Sequence, residues 1–341
     1  MTETDGARPG AGIDAAKPFT GEPSTATAMR KDKDVYQQIS RLYDEIRKKI
    51  VGYDEIIECV LIGFLCDGHV LLESVPGMGK TMLTKAISDA MDMDFKRIQG
   101  TADLLSTDIT GKITYDEATK RNVFTRGPVF TNILLMDEIN RAPPMSQSAL
   151  LEVMEEKRVT VGGVTYELPK PFIVLATENP LEQKGVFPLP EAQKDRFLFK
   201  VMMMYLTKEQ ETAIVKTKFK EDKVARILTP PEILIMRKEA FESAYMSDSM
   251  IEYAVKIVDE TRHRKELQTG ASPRASIGFM KAAKAKVFLE GRENVTAADI
   301  KKLAYPILRH RIILNPEFVE MRVTPDDIIK KILEKIDAPI M

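Results

Sequence analysis

The sequence predicts an α/β protein in which a doubly wound, mainly parallel sheet is followed by an all-α domain. Three observations support this fold class. Short apolar strands alternate with helical patterns as far as residue 206, a glycine-rich loop follows the first strand, and helical patterns dominate from residue 207 onward. The expected division is a disordered tail over residues 1–30, an α/β core over residues 31–206 and a helical domain over residues 207–341.

The composition is that of a globular protein and excludes some functional classes. The chain has 341 residues, of which 44% are hydrophobic and 30% charged, and its net charge of -1 argues against a generally basic nucleic-acid surface. No apolar run reaches the roughly 18 residues that a membrane span needs. The sequence also lacks the apolar segment of a secretion signal, so we expect a cytoplasmic location. Cys59 and Cys66 are predicted to be buried, unpaired thiols.

The octapeptide SVPGMGKT, Ser74–Thr81, follows an apolar strand at residues 69–73 and precedes a predicted helix. This pattern is close to the phosphate-binding P-loop, where backbone N–H groups and a helix N-terminus bind phosphates. Lys80 would pair with the β- and γ-phosphates, and the Thr81 hydroxyl would ligate Mg²⁺. Ser74 stands where the pattern has glycine, and it would be strained if its φ were positive. An ordinary glycine-rich turn is the alternative interpretation.

The remaining core elements follow in order along the chain. A helix begins near Lys31, where apolar residues recur at helical spacing, and a second, mostly buried helix covers residues 54–68. The stretch at residues 101–131 is predicted to be an insertion that stands off the sheet and carries a small hairpin. The other predicted elements are the helix Met82–Met91, the strand Phe95–Gly100, the strand 132–138, the helix 146–157, a hairpin turning at Gly162-Gly163, and the strands 172–180 and 196–206.

After about Thr207 the periodicity becomes helical, with proline and glycine between the helical segments. This pattern predicts an all-α second domain. Its expected helices cover Pro231–Phe241, Asp248–His263, Pro273–Glu290, Ala297–Arg311 and Asp326–Ile336.

The buried strand NILLMDE ends in two acids, Asp137 and Glu138. Ligands bind at the carboxyl ends of strands in open α/β sheets, so both side chains are expected at the phosphate site. Asp137 would hold Mg²⁺ through water, together with Thr81. Glu138 would act as the general base that polarises the attacking water. The alternative is that the acid pair caps the following helix.

Three further polar residues are candidates for the site. Asn179 follows a third buried strand and could reach the γ-phosphate or the water, although asparagine before proline also suits a turn. Arg196 precedes an apolar strand, where its guanidinium could clamp the γ-phosphate of a neighbouring subunit. Arg274 lies at a helix N-terminus, where a cation is unfavourable unless an anion binds. A surface salt bridge is the alternative for either arginine.

Five motifs, in this order and spacing, resemble those of the AAA+ ATPases and, within them, the MoxR family: SVPGMGKT, LLMDEINRAP, LATENP, GVFPLPEAQKDRF and GASPRA. The resemblance runs from about Ile50 to about Leu314. It implies a P-loop AAA+ core followed by an α-helical lid domain. The stretch 101–131 resembles the helix-2 insert of this clade, and the hairpin at about 157–169 resembles the pre-sensor hairpin.

The resemblance assigns a role to each matching position. Asp137 and Glu138 match Walker B, Asn179 matches sensor 1, Arg196 looks like the trans-acting arginine finger and Arg274 looks like sensor 2. Thr81 and Asp137 would hold the metal. Tyr53, Ser74 and Glu178 depart from the family's usual Gln, Gly and Gln. The residues that would contact nucleotide are Val51, Gly52, Pro76, Gly77, Met78, Gly79, Lys80, Thr81 and Met82.

The same resemblance implies a hexameric, ring-forming ATPase that uses ATP and Mg²⁺ and acts as a chaperone-like assembly, maturation or metal-insertion factor for a protein client. Relatives commonly work with a von Willebrand factor A domain, which is absent from this sequence, so such a partner is expected in trans.

Three other functions stay open at this point. One is a scaffold that binds ATP with little hydrolysis, and another is a subunit similar to that of magnesium chelatase. The third is a nucleic-acid motor. It is disfavoured because the hairpin tip Val161–Thr165 carries no lysine, arginine or aromatic residue.

Overall fold

The computed structural model describes residues 25–118, 120–180, 185–217 and 223–339. Residues 1–24 of the predicted tail lie outside this part of the chain. The strands, in chain order, are β1 (Val70–Ser74), β2 (Phe95–Gln99), β3 (Gly111–Asp116), β4 (Arg121–Arg126), β5 (Ile133–Asp137), β6 (Arg158–Val161), β7 (Val164–Glu167), β8 (Ile173–Glu178), β9 (Phe199–Met203), β10 (Leu267–Thr269) and β11 (Ile313–Leu314).

The helices alternate with these strands in the first part of the chain and follow one another in the second. In chain order they are α1 (Thr25–Arg47), α2 (Asp54–Cys66), α3 (Lys80–Ala90), α4 (Ser106–Thr110), α5 (Pro144–Glu156), α6 (Glu191–Lys194), α7 (Lys208–Thr217), α8 (Pro230–Ser243), α9 (Asp248–Arg262), α10 (Pro273–Leu289), α11 (Ala297–Leu308), α12 (Pro316–Glu320) and α13 (Pro325–Lys335).

The predicted parallel sheet is confirmed. It has five strands in the order β2-β5-β8-β1-β9, and each neighbouring pair is parallel. The inner strands are apolar because a parallel sheet is covered on both faces, and β5 is buried along its whole length. All five carboxyl ends lie at one edge of the sheet, which we call the carboxyl edge. The opposite edge is called the amino edge.

Successive strand residues pack on opposite sides of this sheet. Leu72 belongs to a large core that continues into α2 and the helices after α7, whereas Leu71 belongs to a smaller core with α5. Cys59 and Cys66 lie buried in α2 as free thiols, as predicted. Within the described ranges, no helix is both long enough and apolar enough to cross a membrane.

Two hairpins stand outside the central sheet. β3 pairs only with β4, and β6 pairs with β7 across a two-residue loop, so both predicted hairpins are confirmed. Gly162 and Gly163 have φ values of +58° and +78°, the positive values that a type I′ turn requires at both positions. The hairpins touch where the ring of Phe124 stacks on that of Tyr166, with centroids 4.4 Å apart.

Two predictions are wrong: where the first helix begins, and that the second part of the chain is purely helical. Helix α1 begins at Thr25, so residues 25–30 are helical and do not belong to a disordered tail. A helix nucleated by the apolar residues after Lys31 extends at low cost through alanine, methionine and arginine, which have good helix propensity. The second part of the chain is also not purely helical, because β10 and β11 form an antiparallel pair. These strands are too short to show a periodicity of two in the sequence.

Candidate nucleotide site

The P-loop octapeptide connects β1 to α3 at the carboxyl edge. Ser74 is the last residue of β1, and its Oγ donates a hydrogen bond of 3.1 Å to the carbonyl oxygen of Val75. Positive φ values in the loop occur at Gly77 (+84°) and Gly79 (+81°). The strain considered for Ser74 is therefore absent, because an extended strand residue needs no glycine. Pro76 lies exposed between the strand and these two turns.

Lys80 is the first residue of α3 and is buried. Its Nζ lies 3.3 Å from Oδ1 of Asp137, the residue that ends β5. Thr177, in the neighbouring strand β8, donates a hydrogen bond of 2.6 Å to the same Oδ1. The sequence prediction that Lys80 and Asp137 meet at one edge of the sheet agrees with this contact.

Arg97 of β2 donates a 2.7 Å hydrogen bond to the other oxygen of Asp137, Oδ2. Burial alone would raise the pKa of the Asp137 carboxyl, but hydrogen bonds from Thr177 and Arg97 and the nearby Lys80 charge outweigh burial and lower this pKa. Asp137 is therefore an anion at neutral pH.

Glu138 follows Asp137 in a left-handed backbone conformation, with φ of +56°. Such a conformation costs on the order of 1 kcal/mol for a residue with a side chain. Two contacts hold it: the Glu138 N–H donates to Thr177 Oγ1 at 2.9 Å, and Gln99 Nε2 donates to Glu138 Oε2 at 2.8 Å. Arg141 Nε lies 3.2 Å from Oε2 as well. The carboxylate is thereby fixed at the carboxyl edge.

Gly100, which follows β2, lies against the backbone of Asp137 and Glu138. Its N–H donates a 2.7 Å hydrogen bond to the carbonyl oxygen of Asp137. A Cβ atom at this position would lie 2.1 Å from the carbonyl oxygen of Glu138, which is a steric clash. Glycine is therefore required for β2 to approach the turn that carries the two acids.

Asn179 follows β8, the strand between β5 and β1, and is buried. Its position at the carboxyl edge is the one predicted. Glu178, which departs from the family's usual Gln, lies opposite Glu73 of β1. Lys200 Nζ pairs with both carboxylates, at 3.0 Å from Glu178 and 2.5 Å from Glu73. Burial would lower the pKa of Lys200, but these two carboxylates raise it, so Lys200 stays charged and offsets one of the two negative charges.

An apolar cleft of about 190 Å³ lies beside the loop. It brings together several predicted nucleotide contacts with residues that precede or belong to α7. Gly52, with φ of +83°, packs so closely that a Cβ atom would lie 2.7 Å from Leu206. The apolar lining of the cleft suits the face of a purine ring. It is lined by Ile50, Val51, Tyr53, Gly77, Met78, Gly79, Met82, Tyr205, Leu206, Glu211 and Ile214.

The donor set at the loop suits a magnesium ion. Asp137 offers carboxylate oxygens and the exposed Thr81, beside Lys80 in the first turn of α3, offers a hydroxyl. Mg²⁺ prefers oxygen ligands and keeps several waters when it binds through one or two protein groups and substrate phosphates. These residues therefore fit the metal that the sequence predicts. Arg97 must share the Asp137 carboxylate with it.

The two candidate arginines lie at the opposite edge of the sheet. Arg196 precedes β9, which runs parallel to β1 with Phe199 opposite Val70 and Met203 opposite Ser74. Four steps of about 3.3 Å along the strand separate the amino and carboxyl edges by about 13 Å. Arg196 therefore lies away from the phosphate loop of its own chain.

Glu155, near the end of α5, joins both arginines. Its Oε2 lies 3.1 Å from Arg196 and its Oε1 lies 3.0 Å from Arg274. Arg196 also donates a hydrogen bond of 3.0 Å to the carbonyl oxygen of Leu151. The structure thus brings Arg274 to Arg196 and not to Lys80. All three charged side chains are between 32% and 49% exposed, so a second molecule can reach them.

Sequence reasoning missed Arg97, Gln99, Thr177 and Glu155. A signal for the first two was present, because polar residues at alternate positions of β2 share one face and lead to the carboxyl edge. Thr177 carries no such signal, since a threonine in a strand is ordinary. Glu155 is one of several acids at the end of α5, and only the fold identifies its partners.

Comparison with known proteins agrees with this geometry. Residues 69–199 match the model described as ATPase family associated with various cellular activities (AAA), and residues 259–332 match an AAA lid domain. The chain is similar to the protein YeaC of Bacillus subtilis, with 40% identity over 92% of this chain and 98% of that protein. It is also similar to the chaperone MoxR1 of Mycobacterium tuberculosis, with 38% identity over 88% of this chain and 82% of that protein.

A solved structure from Cytophaga hutchinsonii, of a protein provisionally assigned as an ATPase, shares the fold. It has 40% sequence identity and a TM-score of 0.86, and the match covers 92% of this chain and 99% of that one. The phosphate loop, the acids at the end of β5 and these extensive similarities lead to one conclusion: the chain belongs to the MoxR family of AAA+ ATPases.

Proposed function

We propose that this chain hydrolyses ATP, with Mg²⁺, to drive chaperone-like remodelling or maturation of a partner protein. The observation that carries the proposal is the joining of Lys80, Asp137 and Glu138 at the carboxyl edge, where Lys80 Nζ lies 3.3 Å from Asp137 Oδ1. A cation, a metal ligand and a fixed carboxylate base are the groups that phosphoryl transfer to water requires.

Each residue has a distinct task in the proposed reaction. Backbone N–H groups of the loop and the Lys80 ammonium bind the phosphates, while Asp137 and Thr81 would hold the metal. Bound Mg²⁺ would neutralise charge that develops on the phosphate oxygens. Glu138 accepts a proton from the attacking water, and Asn179 orients that water. The apolar cleft at Val51 and Met82 takes the purine ring.

The arginine arrangement supports an oligomer as the active form. Arg196 and Arg274 lie together at the amino edge, away from the carboxyl edge that holds Lys80. We propose that both arginines stabilise the phosphates bound to the next subunit of a ring, which family resemblance suggests is hexameric. In this arrangement, a lone subunit binds ATP but hydrolyses it slowly.

The client and partner follow from resemblance and not from the site. A relative named chaperone MoxR1 suggests a protein client, and a partner with a von Willebrand factor A domain in trans fits the family. Metal or cofactor insertion, as by a magnesium-chelatase-like subunit, is the narrower alternative.

The free, buried thiols of Cys59 and Cys66 favour a reducing, cytoplasmic setting for this activity. We propose that the core spans residues 31–206, extended at its start by the helical residues 25–30 of α1, and that the lid spans residues 207–341.

Ser74, which stands where the P-loop pattern has glycine, is the residue that would favour the scaffold alternative, ATP binding with little hydrolysis. The extended conformation of this residue weakens that motive, because the glycines that the turn needs are present at positions 77 and 79.

The variant Glu138→Gln tests the proposed activity. We expect it to bind ATP as the unchanged protein does, because the amide keeps the shape of the side chain, while phosphate release falls by about 10²–10⁴-fold. Binding is measured with a fluorescent ATP analogue and phosphate release by a steady-state assay on the purified protein. Glu117→Gln, an exposed acid of the β3–β4 hairpin, is the matched control. Equal turnover by Glu138→Gln and the control would remove Glu138 from its role.

A further inference from the structure

The segment Asp195–Leu198, which carries Arg196, is bound by two buried side chains from the helical part of the protein. Nε2 of His310 lies 3.0 Å from the carbonyl oxygen of Phe197, and Arg311 makes most of the other contacts. We propose that Arg311 is a positioning residue that locks Arg196 and Arg274 into a single rigid face for the neighbouring subunit's phosphates. The inference rests on the proposed function, because it concerns the residues that would complete the ATP site in trans.

Arg311 uses every N–H group that its guanidinium has. Nε donates to Asp195 Oδ1 at 2.7 Å, and one terminal nitrogen donates to the carbonyl oxygens of Phe197 at 2.6 Å and Asp195 at 3.2 Å. The other terminal nitrogen donates to the carbonyl oxygens of Leu198 and Ile307. A guanidinium has five N–H donors, so none is left over. The backbone on both sides of Arg196 is thereby tied to the end of α11.

Asp195 extends this connection to the second arginine. Its Oδ1 accepts from Arg311, while its Oδ2 accepts a 2.9 Å hydrogen bond from Ser272 Oγ. Ser272 is the N-cap of α10, and its Oγ accepts a 3.2 Å hydrogen bond from the backbone N–H of Arg274. One carboxylate therefore connects the segment of Arg196 to the helix start that carries Arg274.

Arg196 and Arg274 are connected to each other in two independent ways. Glu155 pairs with both Arg196 and Arg274 on the exposed side, and Asp195 joins their backbones on the buried side. The Arg311 side chain is only 4% exposed, so water does not compete for its hydrogen bonds. Arginine to lysine is not a conservative change at such a site, because an ammonium has three donors and no planar fork.

Rigidity of this face matters because catalysis by a positioned cation depends on its geometry. A displacement of about 1 Å in a catalytic group can reduce a rate by about 10²-fold. Loss of the lock is therefore expected to lower kcat while ATP binding, which uses the opposite edge of the sheet, is retained. A general loss of folding would lower both.

Three variants test the lock at different depths: Arg311→Lys, Asp195→Asn and Ser272→Ala. We expect kcat for ATP to fall at least about tenfold in the first two and less in the third, with the Kd for a fluorescent ATP analogue within about twofold of that of the unchanged protein. Arg309→Lys is the matched control, since Arg309 lies two residues away, pairs with Asp326 and donates to the carbonyl oxygen of Lys200, which lies beyond the segment Asp195–Leu198. Thermal unfolding is measured for every variant.

Mixing two kinds of variant subunit distinguishes a loss of arginine positioning from a general loss of folding. Each variant is mixed with Lys80→Ala, a subunit that keeps its own arginine face but lacks the phosphate-binding lysine. We expect turnover of the mixture to exceed the average of its two components, because the intact face of Lys80→Ala serves the intact phosphate loop of the variant. A subunit that is merely misfolded would show no such recovery.

The possible outcomes decide separately on the two proposals. If the unchanged protein shows no Glu138-dependent turnover, the proposed function fails. If that turnover exists but folded Asp195→Asn and Arg311→Lys have the same kcat as the control Arg309→Lys, the proposed positioning role of Arg311 is wrong. A loss of kcat that mixing does not restore also overturns it. Should Arg311→Lys fail to fold, Asp195→Asn and Ser272→Ala decide by the same criteria.

Discussion

The carboxyl and amino edges of one sheet carry two different groups of charged side chains. At the carboxyl edge, Lys80 contacts Asp137, Gln99 donates to Glu138, and the three charged side chains are largely withdrawn from solvent. At the amino edge, Arg196 and Arg274 share one acid and are one-third to one-half exposed. One edge is built to hold a ligand in place, and the other is built to be reached by another molecule.

Under the proposed function, neither edge is a complete site. The acids and lysine lie at the carboxyl edge, whereas Arg196 precedes β9, and the length of this strand separates the two edges by about 13 Å. A burial pattern of this kind is expected when the missing charge comes from a neighbouring chain, because an interface residue must stay accessible before assembly.

The largest effect is expected from Arg196→Ala, which removes charge from the amino edge alone. We expect kcat to fall by about 10³-fold, since an arginine supplied in trans contributes on this scale to phosphoryl transfer, while ATP binding stays unchanged. Turnover should recover in part when Arg196→Ala is mixed with Lys80→Ala, as measured by phosphate release.

The control for that mixture is a pair of defects at the same edge. Glu138→Gln mixed with Lys80→Ala should show no recovery, because every phosphate site in the mixture then carries a defect of its own chain. Recovery in this pair, or none in the Arg196 pair, would contradict the division of the site between two edges.

A smaller effect is expected from Gln99→Ala, which removes one of the two contacts on Glu138 Oε2 and leaves the one with Arg141. Gln99 Nε2 donates to Glu138 Oε2 at 2.8 Å, so its loss lets the base leave its position. We expect kcat to fall by about tenfold with little change in KM, measured by steady-state phosphate release. Lys96→Ala, an exposed residue on the same strand, is the control, and an equal kcat in both variants would show that Gln99 has no positioning role.

The smallest effect is expected from Ser74→Gly. Ser74 is an extended strand residue whose Oγ only donates to the adjacent carbonyl oxygen of Val75. Restoring the family's glycine should change kcat and KM by less than about twofold and lower the unfolding free energy by about 0.5–1 kcal/mol, the usual entropic effect of glycine in a strand. A tenfold gain in rate would show that Ser74 slows the enzyme.

The sheet, the two hairpins and the carboxyl edge could be predicted because each leaves a local pattern. Buried parallel strands read as apolar runs, Gly162-Gly163 marks a two-residue turn, and acids that follow β5 must lie at its carboxyl end. Such signals depend only on residues that are neighbours in the chain, so they can be read from the sequence before the fold is known.

Contacts between distant residues could not be predicted in this way. Asp195 and Arg311 are separated by 116 positions, and Glu155 and Arg274 by 119. A charged residue in a sequence shows its type but not its partner, so the sequence places Arg274 at a helix start without identifying its neighbour Arg196. The strand pair β10–β11 is not predicted for the same reason. These strands are too short to show an alternating pattern, and they are recognised only by their pairing with each other.

If the arginines of one subunit complete the phosphate site of the next, as proposed, their placement at the edge opposite Lys80 gives the assembly a direction. Subunits that meet head to tail form either a closed ring or an open row. In an open row, the subunit at one end offers its arginines to no neighbour, and the subunit at the other end receives none. The row therefore has one complete site fewer than it has subunits, so a pair works at half capacity and closure into a ring supplies the last site. Turnover per subunit would report on assembly state directly.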